Sequence, residues 1–145
     1  MILSILRSIG SVIAGLVLAF AVLAAAEGYS EFAYPFPTGY DPEDFMEVCK
    51  AHVAKYPTGV LAVSTAIWAL APLGGSWLAT ILGTRRHAAH GYVVGAMLLA
   101  MAGMNMLMLP YPIWFPIVIL LTFPLGTIVG ARLAATPKHT AVPKQ

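Results

Sequence analysis

Few side chains in this chain could do chemistry, and most of them stand together. All six carboxylates, Glu27, Glu31, Asp41, Glu43, Asp44 and Glu47, lie between positions 27 and 47. Carboxylates can move protons, hold a cation, or simply cap and solvate a helix. Asp41-Pro42-Glu43-Asp44 has the plain structural reading. Asp41 suits an N-cap, Pro42 the first helical position, and the two acids after it the positive end of the helix dipole. Glu27 and Glu31 differ from these. They follow directly on an uncharged apolar run and are four residues apart, so they share a face if the helix continues. A carboxylate at a span boundary is costly unless it is paired or hydrated. Its candidate partners are Asn105, His52 and Lys55. Glu27, Glu31, Asn105 and His52 are therefore the candidate functional residues, and no catalytic residue is assigned.

Metal and cofactor chemistry find little support. Cys49-x-x-His52 could supply two ligands from one helix, but both fall near its apolar side, where packing is the simpler role. Met97, Met101, Met104, Met106 and Met108 are soft donors, with no His/Cys set converging on them. His87 and His90 fall on the opposite side of the membrane from His52. There is no phosphate-binding glycine loop and no nucleophile elbow. No cofactor and no metal are expected.

The elements that position these residues follow from composition. Of 145 residues, 59% are hydrophobic and only 10% charged, against roughly 25% charge in soluble domains. That is too little polarity to cover a water-facing exterior, and lipid resolves the deficit. The net charge of +2 gives no reason to expect nucleic acid. A span needs about 20 mostly apolar residues. Four are expected, at about 8–26, 60–82, 90–109 and 113–133. The last two are divided by the three prolines of "LPYPIWFP". The fold class is an all-α membrane protein, one four-helix domain over 1–135 with a flexible tail at 136–145. A short amphipathic helix is expected within the segment 27–59, running to about Lys55 with Phe45, Cys49, Val53 and Tyr56 on its apolar side. The first span has a rival reading as a cleaved signal peptide ending at Ala24-Ala25-Ala26. Its length and its small residues Gly10, Ala14, Gly15 and Ala19 favour a retained span.

Arg7, Arg85, Arg86, Arg132, Lys138 and Lys144 fall on one side of such a bundle, and only Lys50 and Lys55 on the other. Both termini are then cytoplasmic, and 27–59 is external. Tyr111 and Trp114 read as interfacial anchors. Small residues recur at four-residue spacing: Gly75, Ala79 and Gly83; Gly91 and Gly95, with Gly103 beyond; Gly126, Gly130 and Ala134. These stripes suit packing within one bundle, or self-association. The partners expected are the lipid bilayer and either a second copy or another membrane protein.

The chain also resembles a group of small bacterial four-span proteins of uncharacterised function. The matching residues are Glu27 ending the first span, Tyr34-Pro35, Pro37, Gly39 and Asp41 in the linker, Pro57-Thr58-Gly59, and Asn105 through Phe115 in the second hairpin. Tyr111 departs from that pattern, which has His there. The resemblance implies a four-helix bacterial inner-membrane protein and no known activity.

Three functions compete. The first is a non-enzymatic bundle acting as an accessory, lipid-associated or interaction subunit. The second is an oligomeric transporter or proton-linked carrier using Glu27 and Asn105. The third is a membrane enzyme with an external carboxylate/His site built from Glu27, Glu31, Asp41 or His52. The position of the Glu27 carboxylate relative to Asn105 and His52 discriminates among them.

Overall fold

The computed structural model describes residues 2–135; the expected tail at 136–145 lies outside the described residues. The described residues form five α-helices: α1 (Ile2–Ala33), α2 (Phe45–Ala54), α3 (Thr58–Leu82), α4 (Ala89–Met108) and α5 (Trp114–Ala134). All but α2 are long and apolar enough to cross a membrane. This is an all-α membrane protein, with boundaries within a few residues of expectation for α3, α4 and α5.

α1 is longer than the apolar run that announced it. Its 32 residues reach about 48 Å at ~1.5 Å per residue, well beyond a ~30 Å hydrocarbon layer. The final turns therefore carry Glu27 and Glu31 past the apolar section on one continuous helix. The helix stops at Ala33, two residues before Pro35, which restricts the residue preceding it. The Glu31 carboxylate then accepts from the Phe36 backbone N–H at 3.2 and 3.3 Å, which fixes the exit of the chain.

Helix α2 begins in two steps. The Asp41 carboxylate accepts from the Glu43 N–H at 3.2 Å, and Pro42–Asp44 forms a 3₁₀ turn before the α-helix starts at Phe45. The capping role of Asp41 is as expected, but the α-helix starts three residues after Pro42. On its apolar side Val53 is buried and Cys49 half-buried, whereas Phe45 and Met46 remain exposed.

The bundle closes through small residues. Gly15 and Ala19 on α1 meet Gly75 and Ala79 on α3, where a Cβ added to Gly75 would lie 2.8 Å from the Gly15 carbonyl oxygen. Gly91 of α4 sits against Ser76, Thr80 and Ala131, and Gly95 against Thr127. Gly126 and Gly130 of α5 lie against Ala69 and Leu73 of α3. Such contacts let backbones approach where lipid offers no hydrophobic drive. The stripes thus serve packing within the chain, with two corrections. Gly10 and Gly103 have nothing near them, because each is rotated off its helix's contact face. The contact face of α1 is Ser11, Gly15, Ala19, Ala26 and Ser30.

The ends of the bundle differ in chemistry. At one end Arg7 Nε donates to the Leu82 carbonyl at 2.9 Å, and Ser8 Oγ meets Thr84 Oγ1 at 3.0 Å and His90 Nε2 at 3.1 Å. The tight turn there holds Arg85 and Arg86 at positive φ, 55° and 46°. At the other end lie the last turns of α1, helix α2, the start of α3 and the α4–α5 turn. His87 and His90 are thus at the opposite end from His52. Leu107, 90% exposed, and Leu3, 82% exposed, belong to an apolar exterior suited to lipid.

Candidate functional site

The acidic end contains a cavity of about 260 Å³. Glu27, Glu31, His52 and Asn105 all line it, although they come from α1, α2 and α4. Their meeting is a consequence of topology. α1 and α4 both end at this end of the bundle, and the linker folds α2 back over them. Cys49 lines the same cavity. Lys55, a candidate partner for Glu27, is exposed and not on its wall, and Asp41 is occupied as a cap.

Glu27 keeps much of its residue surface open, while its carboxyl end is more enclosed beside Trp68. The Trp68 indole N–H approaches that carboxyl without a hydrogen bond of ordinary geometry, and so remains buried and unpaired. Asn105 Oδ1, also on the wall, is likewise buried without a partner. Buried polar atoms usually have partners, so two orphans on one cavity wall are notable. Below Glu31, Ser30 donates to Ser64 Oγ at 2.7 Å, and Ser64 passes its own hydrogen to the Val60 carbonyl at 3.0 Å. This relay ties the end of α1 to the start of α3.

Aromatic rings supply most of the remaining wall. His52 stacks on Tyr34 with centroids 4.3 Å apart, and meets Phe36 at 5.0 Å and Tyr56 edge-on at 5.6 Å. Across the cavity Tyr111 stacks on Phe115 at 4.2 Å, and Trp68 meets Phe115 edge-on at 5.7 Å. Tyr111 was expected as an interfacial anchor. It is half-buried and lines the cavity instead, because the short turn after α4 folds it inward over Phe115.

Burial sets the protonation of the groups outside the spans. It pushes the Tyr111 phenol well up, with the Glu27 carboxylate and Tyr56 adding to the rise. It also raises the Tyr56 phenol, helped by Glu27 and Glu31 and opposed by the Ser30 hydroxyl. His52 is lowered by burial, with Glu31 acting in the other direction. The phenols are therefore hydrogen-bond donors here, and the imidazole favours its neutral form. Among the described residues no three His, Cys, Asp or Glu groups are placed to hold a metal.

A second, apolar crevice of about 160 Å³ adjoins the first. Leu23, Leu98, Met101, Ala102 and Phe123 line it, and Trp68 and Asn105 form a wall common to both spaces. Sequence reasoning missed Trp68, Tyr56 and the two serines. The available signals were the indole N–H of Trp68 and the hydroxyls of Ser64 and Thr65, donors set inside a long apolar span.

No family model matches this chain, and no curated protein or solved structure matches it either.

Proposed function

We propose that this is a non-enzymatic, lipid-associated protein of the cytoplasmic membrane, with a ligand site on its external face. The observation that carries the reading is the wall made by Trp68 and Asn105. On one side it bounds a cavity that carries two carboxyl groups, and on the other an apolar crevice. An amphiphile with a polar head and an alkyl portion matches that pairing. The external placement rests on charge. Among the described residues Arg7, Arg85, Arg86 and Arg132 lie at the end opposite the cavity, and only Lys50 and Lys55 lie on the cavity's side. The resemblance to small bacterial four-span proteins agrees with this placement.

The carrier reading is weaker, because Glu27 and Asn105 sit in a cavity at one end and not at a midplane crossing. The enzyme reading loses Asp41 to capping.

Native mass spectrometry of the protein released from mild detergent tests the proposal. Wild type is expected to retain a bound small molecule or lipid, and Asn105→Phe, which fills the wall common to both spaces, to lose it. Wild type that emerges only as the bare polypeptide mass overturns the proposal.

A further inference from the structure

The walls of the cavity say more about its ligand than its position does. Glu27 and Glu31 stand one helical turn apart, and like charges at that spacing destabilise each other. Among the described residues no Lys or Arg lines the cavity to offset them. His52, the one basic group there, is held between the Tyr34 and Phe36 rings and favours its neutral form. Acidic groups thus share a cavity whose wall, among the described residues, carries no Lys or Arg.

The other walls decide which cation. A hard metal ion takes six or more oxygen ligands at short range; among the described residues no three His, Cys, Asp or Glu groups are placed to hold one, and much of the wall is rings of Tyr, Trp and Phe. Those rings attract organic cations through the negative potential of their faces, and aromatic cages for ammonium groups work in this way. The size agrees. Drug-sized ligands occupy roughly 300–1,000 Å³, and this cavity of about 260 Å³ suits something smaller. The unpaired Asn105 Oδ1 is an acceptor that a cation, or an N–H on it, would satisfy.

We propose that the cavity binds a small organic ammonium group, on a free amine or on a lipid head group, between Glu27, Glu31 and the rings of Tyr34, Tyr56, Trp68 and Tyr111. This rests on the reading of the cavity as a ligand site.

The test is calorimetric titration of the full chain in nanodiscs with choline and with 3,3-dimethylbutan-1-ol, its neutral isostere. Choline is expected to bind at least about tenfold more tightly, in line with a charge-specific contribution of a kcal/mol or more. Glu27→Gln is expected to remove that difference. Equal binding of the two probes overturns the ammonium proposal while leaving a ligand site in place. Failure of both to bind overturns it too, and the mass-spectrometric adduct then decides separately whether the cavity is a site at all. The wild-type comparison needs no variant, so a Glu27→Gln protein that fails to fold does not spoil it. Weaker choline binding in phosphatidylcholine nanodiscs than in nanodiscs of an uncharged glycolipid supports the proposal with a lipid head group as the source. Equal binding in the two supports it with a free amine.

Discussion

The His52 imidazole stacks on the Tyr34 ring, with centroids 4.3 Å apart and planes inclined by 21°. This contact joins α2 to the segment leaving α1, and both residues line the cavity that Glu27 and Glu31 share. Aromatic pairs add roughly 0.5–1.5 kcal/mol beyond the area they bury. Without this one, α2 keeps few buried side chains, since Val53 is its one buried residue.

Tyr34→Ala is therefore expected to loosen α2 without unfolding the bundle. Hydrogen exchange across Phe45–Ala54 should quicken about fivefold, from a loss of roughly 1 kcal/mol. Exchange in α3–α5 should stay as it was. Phe32→Ala, at a site 88% exposed, serves as the control and should change neither.

The same contact should respond to pH. Burial lowers His52 below its ordinary value, with Glu31 opposing, so the docked state prefers the neutral ring. The undocked segment binds a proton more readily, and stability rises with pH wherever that is so. Docking is thus full above the ordinary histidine range and is lost as pH falls through the lowered value. Protection of α2, corrected for intrinsic exchange, should decline between about pH 7 and pH 5, the range in which histidine changes charge. His52→Phe should flatten that decline.

Close helix approach makes contrasting predictions for two glycines. Gly75→Val drives a branched side chain onto the Gly15 carbonyl and Ala19. Overpacking of this kind costs about 1–3 kcal/mol, so the thermal midpoint in detergent should fall. Gly103→Ala meets open space and removes a helix-weakening glycine. It should leave the midpoint unchanged or raise it by up to ~1 kcal/mol of stability.

The Ser30–Ser64 relay offers a quantitative check on the α1–α3 joint. Hydrogen bonds between spans average about 0.6 kcal/mol in double-mutant cycles. Ser30→Ala and Ser64→Ala, singly and together, should show a coupling of that order.

The spans were legible in the sequence because an apolar run must satisfy its backbone internally and has a fixed length to cover. Ala89–Met108 and Trp114–Ala134 fall within a residue of expectation, since Pro110, Pro112 and Pro116 leave no other place to divide them. The end of α1 was not legible to the same degree. Its apolar run ends at Ala26, yet a helix continues through polar residues until something stops it, and Pro35 does so. Glu27, Glu31, His52 and Asn105 could be singled out because polar groups at span ends are conspicuous. Their convergence could not be read, since it depends on how α2 folds back and on the rotation of α4. Trp68 and Tyr111 were missed for the same reason. An aromatic residue in a span looks alike whether it faces lipid or a cavity, and only the register between helices tells them apart.

Cys49 gives the most direct test of whether the cavity opens on the outer side of the membrane, as proposed. It is the chain's one cysteine, it is half-buried, and it lines the cavity. In intact cells with a sealed cytoplasmic membrane, a small membrane-impermeant maleimide should label Cys49, and Asn105→Phe should slow that labelling. Arg85→Cys in a Cys49→Ser background, at the exposed opposite end, should react only after permeabilisation. Labelling of Cys49 only after permeabilisation, with Arg85→Cys labelled in intact cells, would contradict the account.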